Sequence, residues 1–394
     1  MSGKHLLLIF GLIYNSCTNK VPEEVEQPIT LGLSPIQGTL TIVDTLKIKV
    51  DSLTDPNHYH DQLKFINNEP YYFIYNKTFS RLQVYNLYDS TKNQLIDFVA
   101  EGPDGIGEPD RFYFHNIDSI FFIYGDSYKQ VALYNSGGAM VNKWDIIFPE
   151  PFEDYWISNE LFYTFEYDPL TESVGFWMSR GLVTTLDYQR SVLQCRFNLH
   201  TRKYRVFGEY PHEFYQTIYY PNNDVNGYST KKYFVSYYMP SHEVHLYSRQ
   251  TLSLTKRLKI KSQYVPEYFN PFITSDDEER GMQEEMDYNV EHAFYVKMIT
   301  NENNSLNYRI AKLATPLKYP DGKRRLFFDM PFSIMVLDEE FKLIQEQMFP
   351  GGKYDFFQSF AYGDKVFLSL NNRVSNYASD DYMQFSVFQL KQGD

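Results

Sequence analysis

The chain has 394 residues, 43% hydrophobic and 18% aromatic, and a formal charge of −13. That length is ample for a large core. The acidic balance argues against a nucleic-acid partner, because neutralising phosphates needs clustered Lys and Arg, and short basic runs such as Lys323-Arg324-Arg325 read as solvated turns.

From the N-terminus, Lys4-His5 precedes the apolar run Leu6–Ile13, and Asn15-Ser16-Cys17 follows. A basic start, a short apolar stretch and a small residue before a cysteine predict a secretion signal over residues 1–16. The run is too short for a bilayer span, which takes about 20 apolar residues. Residues 17–38 carry Pro22, Pro28 and Pro35 among polar side chains, the composition of a flexible tether. The only other cysteine, Cys195, lies inside an alternating segment and reads as a buried thiol.

Residues 39–394 read as one all-β domain. Leu46, Ile48 and Val50 alternate with Lys47 and Lys49, which predicts a half-buried strand ahead of the first repeat. Three strands follow at 71–75, 82–86 and 95–98, and their pattern returns at 119–124, 131–135 and 141–146. Val84-Tyr85-Asn86 and Leu133-Tyr134-Asn135 stand 49 positions apart, the spacing of propeller blades. Blade three is assigned Leu161–Tyr167 as its second strand, then a long excursion to Tyr188, then 193–198 and 204–207. Blade four takes 233–238, 244–248 and 254–260.

Blade five is irregular. Ser333–Asp338 follows its counterpart in blade four by 90 positions, leaving about forty residues beyond the repeat length. Ser275 and Glu278 form a capping-box pattern that predicts a short acidic helix over Ser275–Tyr288. Blade six takes 355–357, 365–370 and 383–390 and ends one strand short. The unassigned N-terminal strand supplies the missing one, leaving no open edge. Pro103, Pro149, Pro211, Pro266 and Pro350 mark the crossings between blades. The count is six blades, or seven if Tyr308–Leu313 begins its own.

With the Cys17 signal, the N-terminal strand and the loop Glu101-Gly102-Pro103-Asp104-Gly105-Ile106-Gly107-Glu108-Pro109-Asp110-Arg111-Phe112 in view, the chain resembles a family of uncharacterised bacterial lipoproteins with a six-bladed, TolB-like propeller. In that family the cysteine corresponding to Cys17 is lipidated after signal cleavage. The resemblance implies a fold and a place in the cell envelope, on the outer membrane or cell surface, and no activity.

No chemical motif stands above its ordinary structural reading. The Gly102–Gly107 loop lacks the helix and the Lys-Ser/Thr of a P-loop and reads as an inter-blade turn. His58 and His60 share a face if extended but lack a third ligand. His242 and His245 do not share a strand face, His212 and His292 are isolated, and solvated loop histidines are the default. No metal or cofactor is expected. Asp276, Asp277, Glu278, Glu279, Glu284 and Glu285 make the insertion the candidate binding surface, against the ordinary reading of a solvated helix face. There is no Gly-x-Ser-x-Gly elbow. Two functions follow: a membrane-anchored binding or scaffold protein for an envelope protein, peptide or glycan, or a glycan-cleaving hydrolase or lyase with loop carboxylates as acid and base.

Overall fold

Runs such as Tyr71-Tyr72-Phe73-Ile74-Tyr75 are apolar throughout because both faces of their sheet are covered. Tyr71, Phe73 and Tyr75 pack toward the blade that follows, and Tyr72 and Ile74 toward the last blade of the chain. The second repeat does the same: Ile120, Phe122 and Tyr124 face back, and Phe121 and Ile123 face forward. Period-2 side chains that are apolar on both faces mark a strand buried between two sheets.

The computed structural model describes residues 27–34, 37–55, 61–124, 129–158, 165–180, 184–217, 225–271, 281–301, 303 and 305–392. They form six antiparallel blades. Blade one is Asp61–Ile66, Glu69–Asn76, Arg81–Asn86 and Gln94–Asp97, and blade two is Arg111–Asn116, Ser119–Tyr124, Gln130–Tyr134 and Met140–Asp145. Blade four is Val225–Ser229, Tyr233–Tyr238, Glu243–Ser248 and Leu254–Lys259. Blade five is Phe294–Thr300, Asn307–Lys312, Phe332–Leu337 and Leu343–Phe349. Tyr308 therefore lies in the second strand of blade five, and the count is six. Apolar clusters fill each junction from blades one and two round to six and one, so the ring is closed.

Closure is as the alternation at Leu46–Val50 predicts. Blade six runs Asp355–Tyr362, Lys365–Ser369 and Tyr382–Gln392, and Gly38–Lys49 pairs along the outside of the last of these, from Gly38 opposite Gln392 to Lys49 opposite Tyr382. A side chain at Gly38 would lie 2.7 Å from the Lys391 carbonyl oxygen, so the strand enters through a position with no room for a Cβ. Ahead of it, the described end of the predicted tether has partners. Ile29 and Thr30 pair in parallel with Leu258 and Lys259 of blade four. The Ser34 amide donates to the Leu343 carbonyl at 2.8 Å and its hydroxyl to Asp338 Oδ2 at 2.7 Å on blade five. The chain thus straps two blades before it closes a third.

One expectation needs correction. The second strand of blade three is Ser173–Ser179, inside the stretch read as an excursion. Trp156–Ile157 and Glu166–Asp168 share its inner edge. On its other side the pairing is regular, through Gln194–Asn198 and then Tyr204–Phe207. The difference has a physical cause. Gly175 interrupts the strand pattern in the sequence, yet it is glycine because a Cβ there would collide with the Arg196 guanidinium on the neighbouring strand.

The short helical insertion ahead of blade five is present as expected. Its described helix is Met282–Glu291, with Gly281 as its N-cap, and it overlaps the expected span. The remaining extra length of blade five lies between Lys312 and Phe332, inside the blade. A further helix, Thr185–Arg190, sits between the second and third strands of blade three. Thr184 and Asp187 cap it reciprocally, a local signal that its short length hid.

Candidate functional site

Six inner strands, one per blade, surround a central channel with a cavity of about 780 Å³. Its described wall takes residues from all six: Asp61 to Phe65, Arg111 to Tyr113 with His115, Phe165 to Tyr167, Gly227 to Lys231, Lys297 to Asn301, and Phe357 with Phe360 and Ala361. That wall holds five cations, Lys64, Arg111, Lys231, Arg249 and Lys297, against two carboxylates, Asp61 and Glu166. A cationic lumen in a chain of net charge −13 is a local reversal of sign, and low-dielectric walls focus such a field.

Most of these charges are committed to the protein. Arg249 pairs with Asp168 at 3.3 Å. Lys297 donates to the Phe357 and Ser359 carbonyls at 2.5 and 2.9 Å. Burial lowers its ammonium below the usual lysine value, against the pull of Asp61 and Asp355. Asp61 accepts from the Tyr72 hydroxyl at 2.6 Å. Behind the wall, burial pushes the Asp355 carboxyl up to about 6, and its amide donors and Lys297 offset only part of that.

Lys64 differs. Its ammonium lies 3.7 Å from the centre of the Tyr113 ring and has no hydrogen-bond acceptor among the described residues. Burial lowers it to about 8, with the Glu166 carboxylate pulling the other way. Glu166 is itself engaged elsewhere. Its Oε1 accepts from Arg196 and, at 2.6 Å, from the Ser229 hydroxyl. Burial works against the Glu166 charge, and Arg196 with Ser229 outweighs it, holding the carboxyl below its ordinary value. Both bonds land on Oε1, so among the described residues Oε2 is left without a donor. His115, on the same wall, is held below the usual imidazole value by burial and then by Lys64.

Arg196 reaches Glu166 only because Gly175 leaves it room, and its guanidinium stacks 3.8 Å from the centre of the Phe234 ring. A Gly175→Ala substitution forces that confined side chain to move. The expected loss is roughly 2–4 kcal/mol, from overpacking and a broken buried pair. Urea unfolding measures it, and a change within about 0.5 kcal/mol, the range of a neutral surface substitution, overturns the assignment.

The residues singled out from sequence lie elsewhere. Cys17, His58, His60, Asp276, Asp277, Glu278 and Glu279 lie outside the described residues. Glu284 and Glu285 are in the first turn of the insertion helix, where Glu284 Oε2 accepts from the Gly281 amide at 2.9 Å. Neither lines the channel. The helix is held at its other end by Lys312, which donates to the Asn289 carbonyl and, at 2.5 Å, to that of His292.

His242 and His245 are buried, not solvated. His242 bonds Tyr295 at 2.8 Å and the Pro266 carbonyl at 3.0 Å, and burial lowers it to about 4. His245 bonds Tyr238 at 2.9 Å and Glu243 at 2.8 Å. Among the described residues no group of three His, Cys, Asp or Glu is placed to hold a metal. Cys195 is buried and free, and burial pushes its thiol up. The Gly102–Gly107 loop crosses between blades, with Ile106 buried and its carbonyl accepting from Tyr124 at 2.6 Å. The channel residues escaped sequence reading because they come from six blades far apart in the chain, and only ring closure brings them together.

Residues 38–348 match DUF4221, described as a domain of unknown function. The chain belongs to the DUF4221 family. The match opens at Gly38, where the closing strand of this DUF4221 protein begins. Its structure is similar to the crystal structure of a DUF4221 member from Bacteroides vulgatus, with a TM-score of 0.70 at 16% identity, covering 91% of this chain and 100% of that one. It is also similar to a Bacteroides fragilis protein thought to be exported, with a TM-score of 0.52 at 11% identity, covering 92% and 99%. These likenesses carry the fold. No curated protein matches the sequence.

Proposed function

We propose that this DUF4221 protein is a lipid-anchored binding propeller of TolB-like type in the cell envelope. It is lipidated at Cys17, sits on the outer membrane or cell surface, and takes a peptide or glycan segment into its central channel. The observation that carries the binding reading is the cavity of about 780 Å³, walled by all six inner strands with charged and aromatic side chains. Cavities of this size with a few placed polar groups are the usual form of small-ligand sites. The anchor rests on Leu6–Ile13 and Cys17 in the sequence. Ile29, which pairs with blade four, lies twelve positions after Cys17, so the tether spans at most about 43 Å before the chain meets that blade.

The test has two arms. Cys17→Ala is expected to move the protein from the membrane to the soluble fraction, and an unchanged distribution rejects the anchor. In the second arm, peptides and oligosaccharides are screened by thermal shift against the full chain and an Ile299→Trp variant that fills the lumen. Ligands that stabilise the first and spare the second support channel binding. Equal stabilisation of both rejects it.

A further inference from the structure

We infer that the channel recognises a hydroxy-carboxylate, the chemistry of an acidic sugar, between Lys64 and Glu166. This rests on the channel-binding reading and names its ligand class. The argument begins with two groups that the fold leaves incomplete. Lys64 presents an ammonium to the lumen with no acceptor among the described residues, held over the face of Tyr113. Glu166 presents Oε2 with no donor among them, while Arg196 and Ser229 fix Oε1.

The two charges face the same lumen from blades one and three without forming an ion pair. A ligand that completes both groups supplies a carboxylate for Lys64 and a hydroxyl to donate to Glu166. A simple anion satisfies only the first, and a neutral sugar only the second. The wider wall favours an anion, since cations outnumber carboxylates there. Both contacts are charge-assisted, and only the Lys64 contact pairs opposite full charges, so discrimination between an acidic and a neutral sugar rests on it.

The titration of Lys64 adds a signature. The charged and titratable groups around it are Tyr113 and His115 on blade two and Glu166 on blade three, with Arg249 and Arg196 beyond. With its ammonium at about 8, Lys64 is charged at pH 7 and largely neutral at pH 9. Affinity for an acidic sugar therefore falls as pH rises through 8. The same depression means that the ammonium costs the fold stability at neutral pH, and that this is regained between about 8 and the ordinary lysine value. Lys64→Met is thus expected to keep or raise the melting temperature while losing the ligand.

The experiment is calorimetric titration of the full chain with glucuronate, glucose and acetate. Glucuronate is expected to bind at least tenfold more tightly than either of the others. Lys64→Met is expected to lose at least tenfold in glucuronate affinity, and raising the pH from 7 to 9 to lose several-fold. Equal binding of glucose, or full retention by Lys64→Met, overturns the carboxylate contact. Equal binding of acetate overturns the hydroxyl contact. If none of the three binds while a peptide does, blocked by Ile299→Trp, the acidic-sugar inference fails and the channel reading stands. Binding that survives Ile299→Trp sinks both.

Discussion

A chain starting at Val50 is expected to lose cooperative folding. It lacks Gly38–Lys49, the outer strand of blade six, and so bares the whole length of Tyr382–Gln392. Leu40 and Ile48 are both 4% exposed in the intact ring, and burying each contributes roughly 2 kcal/mol. The backbone pairing along the strand is lost in addition. Against a total stability of about 5–15 kcal/mol, that is enough to open the ring, and the bare edge is a template for aggregation. A chain starting at Gln37 is the control. It loses only the strap, including the Ser34 bond to Asp338, and is expected to be weakened by about 1–2 kcal/mol. Circular dichroism melting and size exclusion separate the two. A monomer from the shorter chain with an unchanged transition would falsify the closure account.

Arg309→Ala is expected to cost about 4 kcal/mol, from orphaned carbonyls and a cavity together. Arg309 is fully buried in blade five and reaches into blade four. Its Nη1 donates to the His242 and Ile260 carbonyls at 3.0 and 2.6 Å, and its Nη2 to the Ser241 carbonyl at 2.7 Å. The guanidinium lies 3.4 Å from the centre of the Tyr295 ring. Burial lowers it to about 10, with nearby tyrosines pulling the other way. It holds two blades together through backbone oxygens, without a carboxylate ion pair among the described residues. Arg309→Met keeps much of the volume and is expected to recover about half of the loss, by avoiding most of the cavity. Denaturant unfolding of both variants checks this, and a loss below about 1 kcal/mol for Arg309→Ala, no more than an ordinary point substitution, rejects the staple.

Blade three and the channel mark where sequence reading stopped. The repeat at Val84 and Leu133 was legible because each strand keeps a local period. The turn chemistry is local too: Asn67 and Asn68 join Asp61–Ile66 to Glu69–Asn76 in a two-residue hairpin, both at positive φ, 52° and 67°. Ser173–Ser179 was illegible because its glycine answers to Arg196, a residue on another strand. His242 and His245 read as solvated, since burial by Tyr295 and Tyr238 is a tertiary fact.

By itself the sequence determined the all-β class, the repeating blade and the closing role of the N-terminal strand, while the choice of six blades over seven waited for the structure. These follow from side-chain alternation and turn residues a few positions apart, which local chemistry dictates. Only the tertiary structure decided the site. Lys64 and Glu166 are about a hundred positions apart and meet across the lumen because the blades close into a ring. No periodic pattern records that meeting, since inner strands from different blades share an axis and not a register.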